Sequence, residues 1–78
     1  MQTVDQKLLT AVGVALYGPR WQSDLARDLG VSDRTVRRWV SGEDIPRQGV
    51  WRDLLALVVT HHEQLSVVKG WLTERVEQ

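Results

Sequence analysis

The chain has 78 residues, ten Lys and Arg against ten Asp and Glu, and no cysteine. That length gives room for one domain with a modest core, the kind that often gains stability by oligomerising. The composition excludes disulfides and thiolate metal sites, no apolar run approaches the roughly 20 residues that span a bilayer, and a net charge of zero exerts no overall pull on a polyanion.

The distribution of charge says more than the sum. Arg20, Arg27, Arg34, Arg37, Arg38, Arg47 and Arg52 crowd the middle of the chain, while Asp5, Glu63, Glu74 and Glu77 lie toward the ends. The missing cysteines suit a reducing cytoplasm. The apolar stretch LLTAVGVALYG near the N-terminus is not a secretory signal, because Asp5 spoils a basic leader and no small-x-small cleavage site follows.

Residues 3–17 read as the first helix. Val4, Leu8, Val12 and Leu16 recur every four residues with Ala11 and Ala15 beside them, which predicts one apolar stripe. Thr3 is placed to cap it, Asp5 suits its positive end, and Gly18-Pro19 ends it. Gly13 sits mid-helix at a cost of about 1 kcal/mol against Ala, and close packing against another helix is the expected reason.

Residues 22–42, QSDLARDLGVSDRTVRRWVSG, read as two short helices and a tight turn, the first at 22–29 and the second at 33–40. Leu25, Ala26, Leu29, Val31, Val36 and Trp39 fall where such a pair buries side chains, and small Ala26 lets the second helix cross closely. Gly30 falls where the first helix must stop in a left-handed conformation. Val31 fills the crook of the turn, Ser32 caps the second helix through its hydroxyl, and Gly42 closes it. Ser23, Asp24, Arg27 and Asp28 face outward.

Gln-x-x-Leu-Ala-x-x-Leu-Gly-Val-Ser-x-x-Thr-Val-x-x-Trp-x-x-Gly resembles the helix-turn-helix of the λ-repressor/Cro-like (XRE-type) regulators over about a quarter of the chain. The resemblance implies an all-α fold of four to five helices, with residues 33–40 as a recognition helix in the major groove of double-stranded DNA. It places the base-contacting positions on Asp33, Arg34, Arg37 and Arg38, and a phosphate contact on Gln22. Thr35, Ser41, Arg20 and Arg47 are further phosphate candidates, and Arg52 a weaker one. Two departures stand out. Trp21 occupies the usual capping position, which leaves the cap unassigned and makes Trp21 a candidate staple of the helix entry. Asp33 stands where the family has a neutral polar residue; accepting from a cytosine amino group, bracing Arg37 one turn on, and partnering the helix dipole are the readings open to it.

The residues carry an argument of their own. Val36 and Trp39 point inward and pack. Arg34 and Arg38 lie four apart, two like charges on one helix face, an arrangement that a phosphate or a guanine edge relieves. With no net positive charge, non-specific DNA binding is expected to be weak and its salt slope modest.

Residues 43–49, EDIPRQG, form a polar linker in which Pro46 fits the first turn of the next helix. Val50, Trp51, Leu54, Leu55 and Val58 then form a stripe expected to cover the helix-turn-helix. Leu65, Val68, Leu72 and Val76 continue the period. A fourth helix is expected at 48–61 and an amphipathic segment at 64–76, continuous with it or broken near 61–64. A domain this small has little left for that segment to bury, so Leu65, Val68, Trp71 and Leu72 are candidate contacts of a homodimer; folding back onto the first helix is the alternative. A two-fold dimer would call for a near-palindromic operator.

Adjacent His61 and His62 point about 100° apart on a helix and do not share a metal, and the zinc pattern of His at i and i+4 is absent. No catalytic set, cofactor motif, membrane segment or small-molecule site is evident. The expected role is a cytoplasmic DNA-binding regulator and not an enzyme, most simply a dimeric autorepressor. Small stand-alone proteins of the family it resembles are frequent in phages and mobile elements. Two other classes compete: a protein-interaction module on the same fold, against which the three arginines of 33–40 argue, and an end-binding module of a transposase or excisionase. The latter needs a catalytic domain elsewhere, which a chain opening on Met1 with a full set of helices is not expected to have.

Overall fold

Thr3 starts the first helix, α1 (Val4–Tyr17), through a reciprocal cap. Its hydroxyl accepts from the Gln6 backbone N–H at 3.1 Å, while the Gln6 side-chain oxygen accepts from the Thr3 N–H at 2.7 Å. Three more helices follow: α2 (Trp21–Leu29), α3 (Asp33–Ser41) and α4 (Gln48–Val76). The computed structural model describes residues 2–78, and all regular structure among them is helical. None of these helices is long and apolar enough to cross a membrane.

The turn between α2 and α3 follows its sequence closely. Gly30 takes a left-handed conformation at φ 72°, its N–H reaches the Arg27 carbonyl, and the Val31 N–H reaches the Ala26 carbonyl at 3.0 Å. This pair of bonds satisfies the last carbonyls of α2 and turns the chain sharply. Ser32 accepts from the Thr35 N–H at 3.1 Å and so starts α3, and Gly42, at φ 83°, ends it.

Leu9, Trp21, Leu25, Ala26, Val36, Trp39 and Leu54 form the buried core, one or more from each helix. Each large side chain removed from water there contributes about 1.5–3 kcal/mol. Leu29 and Val31 pack against this core half-buried, as do Val50, Trp51 and Leu57 from α4.

The face of α1 differs from the expected stripe. Leu9 and Gly13 are its buried residues; Val12, Leu16 and Tyr17 are half-buried, whereas Val4, Leu8, Ala11 and Ala15 are exposed. The cause is Trp21. Its indole packs against Gly13, so close that a Cβ there would sit 2.1 Å from the ring. The residue with no side chain therefore marks the packed face, and helix α1 is turned to present it. Trp21 itself is the first residue of α2, buried, with Arg20 as an N-cap that makes no side-chain bond.

Pro46 lies just before the N-cap Arg47 of α4 and not in its first turn. That helix runs unbroken for 29 residues, about 43 Å at 1.5 Å per residue. Only its first half meets the core. Leu54 is buried, but Leu55 is 64 % exposed and Val58 also faces solvent, because Leu54 and Leu57 take the positions under the helix-turn-helix. The second half projects from the body of the fold and does not return to α1, leaving Leu65, Val68, Trp71 and Leu72 exposed.

Candidate nucleic-acid interface

Burial of Val36 and Trp39 fixes the rotation of α3, so the residues between them must face out. Arg34, Arg37 and Arg38 are all exposed and line one shallow groove with Ser41 and Glu43. Arg34 and Arg37 have no ion-pair partner among the described residues. Arg38 makes a loose contact with Glu43 at 3.8 Å, with both side chains largely in solvent. Such an exposed pair is worth little and yields readily to a stronger anion. The patch is thus a concentration of forked donors held on a rigid helix, suited to phosphate oxygens or the acceptor edge of guanine.

Three bonds hold that helix at both ends. At its start, the Ser23 hydroxyl donates to the Asp33 carboxylate at 2.7 Å, joining the first turns of α2 and α3. At its end, the Gln6 amide donates to the Val40 carbonyl at 2.9 Å, while the same side chain caps α1. Beside it, the Ser41 hydroxyl donates back to the Arg38 carbonyl at 3.1 Å. Asp33 therefore braces α2 and makes no ion pair with Arg37. None of these ties was legible beforehand, since Gln6 and Ser23 carry no spacing signal toward α3.

The phosphate candidates scatter more widely. Gln22 is half-buried in the first turn of α2, next to exposed Arg20, and no side chain caps the free N–H groups of that turn. Helix starts of this kind attract phosphate. Thr35 is half-buried, with its hydroxyl 2.9 Å from that of Ser32. Arg47 caps the start of α4 and is exposed, as is Arg52.

Where α1, α2 and α4 meet, Tyr17 donates its phenol hydrogen to Asp28, and its ring meets His61 edge-on at 5.9 Å. His61 donates Nδ1–H to the Leu57 carbonyl at 2.8 Å. Burial and the adjacent carboxylate push the Tyr17 phenol well above its ordinary range. The Tyr17 bond, with help from Arg27, holds the Asp28 carboxyl below the usual carboxylate range against the opposing effect of desolvation. This cluster ties α1, α2 and α4 together and has no part in the arginine patch.

Residues 22–57 match a family model described as helix-turn-helix. The match takes in α2, α3 and the first third of α4, a little under half of the chain. It supports a DNA-binding regulator of the XRE, λ-repressor-like kind. No curated protein and no solved structure matches the chain.

Proposed function

We propose that this chain is a sequence-specific regulator of transcription that binds duplex DNA as a homodimer. Helix α3 enters the major groove, and Arg34, Arg37 and Arg38 read base edges while Gln22, Arg20, Thr35, Ser41 and Arg47 hold phosphates. Asp33 contributes by bracing α3 on Ser23. The chain's simplest action is repression: a cytoplasmic dimer of the phage or mobile-element type covers a near-palindromic operator and blocks RNA polymerase.

One observation carries this reading. Three arginines stand together on the outward face of the second helix of a helix-turn-helix, and two of them lack any ion-pair partner among the described residues. Selection of bound sequences from random duplex DNA tests it. The expected result is an inverted repeat whose half-sites are centred about one helical turn apart, or a multiple of it. Failure to enrich any sequence would contradict specific reading.

A further inference from the structure

The second half of α4 does not behave as an ordinary solvent-facing helix. Leu65, Trp71 and Leu72 are 69, 67 and 59 % exposed, three large apolar side chains left in water close together on one helix. Its composition is poor for a lone helix, with Val67, Val68, Gly70, Trp71 and Thr73 in close succession. Isolated helices of this length are marginal even in good sequences. Something must cover it.

The spacing identifies the cover. Val58, His61, Leu65, Val68 and Leu72 alternate three and four residues apart, the 3.5-residue repeat of a seam between two helices. Lys69 and Arg75 against Glu63, Glu74 and Glu77 leave no strong charge of one sign to keep identical copies apart. A second copy carries the same stripe, so each copy can bury the other's exposed Leu65, Val68 and Leu72.

The direction of pairing follows from where the stripe begins. Leu54, its next position toward the N-terminus, is 2 % exposed and faces the core of its own chain. Along the first part of the stripe, C-terminal to Leu54, α1 contributes Ala15 and Leu16 to one wall of an apolar groove whose other wall includes Val58, His61 and Leu65. In a parallel pair the two bodies would meet at the same end, with both grooves facing each other unfilled. In an antiparallel pair each projecting end reaches the other copy's groove.

We propose that a second copy of this chain covers α4 in antiparallel orientation, with Leu65 against the partner's Val68 and the partner's Leu72 seated near His61 in the groove beside Ala15 and Leu16. This rests on the dimer reading above and adds its geometry. The projecting half of one chain completes the body of the other, so α4 sets the separation of the two α3 helices.

The native chain has no cysteine, so introduced thiols report cleanly. Sedimentation equilibrium of the unmodified chain comes first, then a short bifunctional thiol crosslinker on two variants, each checked for helicity. The first is Leu55→Cys with Val76→Cys, both on exposed sites and too far apart along one helix to link within a chain. The second is Leu72→Cys alone. The expected result is a dimer that the first variant traps and the second does not. Trapping by Leu72→Cys alone would mean a parallel seam and overturn the geometry while leaving the dimer standing. A monomer at all concentrations would overturn both. Neither readout uses DNA, so a failure of DNA binding remains a separate result.

Discussion

Ser23 and Asp33 stand at the starts of two different helices, and a 2.7 Å hydrogen bond between them locks the angle at which α3 is offered to a ligand. Asp33→Asn keeps an acceptor for Ser23 and removes a negative charge from the DNA side. The variant is expected to select the same DNA sequence as the wild type and to bind all duplexes slightly more tightly. A loss of preference confined to one base pair would instead make Asp33 a reader of cytosine.

Gln6 couples two helices through one side chain. Gln6→Ala is expected to cost about 1–2 kcal/mol, the scale of a lost helix cap together with a lost hydrogen bond. Gln6→Glu keeps the acceptor for Thr3 but loses the donor to Val40, so thermal unfolding should place it between the two.

Gly13 opposes helix propensity to packing. Substitution by Ala favours the helix by about 1 kcal/mol, yet its methyl group would collide with the Trp21 ring, which is buried and has nowhere to move. Overpacking of this kind costs about 1–3 kcal/mol, so Gly13→Ala should lower the denaturation midpoint. A rise would mean that the indole is free to shift.

The Tyr17–Asp28 pair should mark the pH dependence of folding at both ends. Asp28 is depressed in the folded state, so its contribution is present above the usual carboxylate pKa and is lost as pH falls through the folded value. Tyr17 is raised, so its contribution is present below the ordinary tyrosine pKa near 10 and is lost as pH rises beyond it. Tyr17→Phe should cost under about 1 kcal/mol at neutral pH and flatten the stability profile at both extremes. An unchanged profile would place the pH dependence elsewhere.

These residues also show what the sequence made legible. Thr3, Gly30, Ser32 and Gly42 act on neighbours within a few positions, and such local rules placed the ends of α1, α2 and α3 to within a residue; the fourth helix, expected at 48–61 with its continuation left open, runs unbroken to Val76, where no capping residue marks a stop at 61. Burial of Leu25, Ala26, Val36 and Trp39 followed from spacing alone. The face of α1 did not, because counting apolar side chains overlooks a glycine pressed against a tryptophan. The four-residue rhythm of Val4 and Leu8 therefore pointed to the exposed side. Leu55 was misplaced similarly, since several apolar residues in succession on α4 leave its rotation undecided until Leu54 and Leu57 are seen under the core. The ties from Gln6 to Val40, Ser23 to Asp33 and Tyr17 to Asp28 join residues ten or more positions apart, and polar pairs at such distances leave no periodic trace. The arginines of α3 were legible because the burial of Val36 and Trp39 dictates which positions remain outside.

Fluorescence anisotropy shows whether α3 reads DNA through these arginines. The chain and its Arg37→Ala variant would be titrated against DNA from upstream of its own gene and against scrambled DNA, at two salt concentrations. The expected result is binding of two subunits to the native duplex in preference to the scrambled one, weakened in the variant by about 1–3 kcal/mol. Absence of binding to either duplex at low salt would contradict the account.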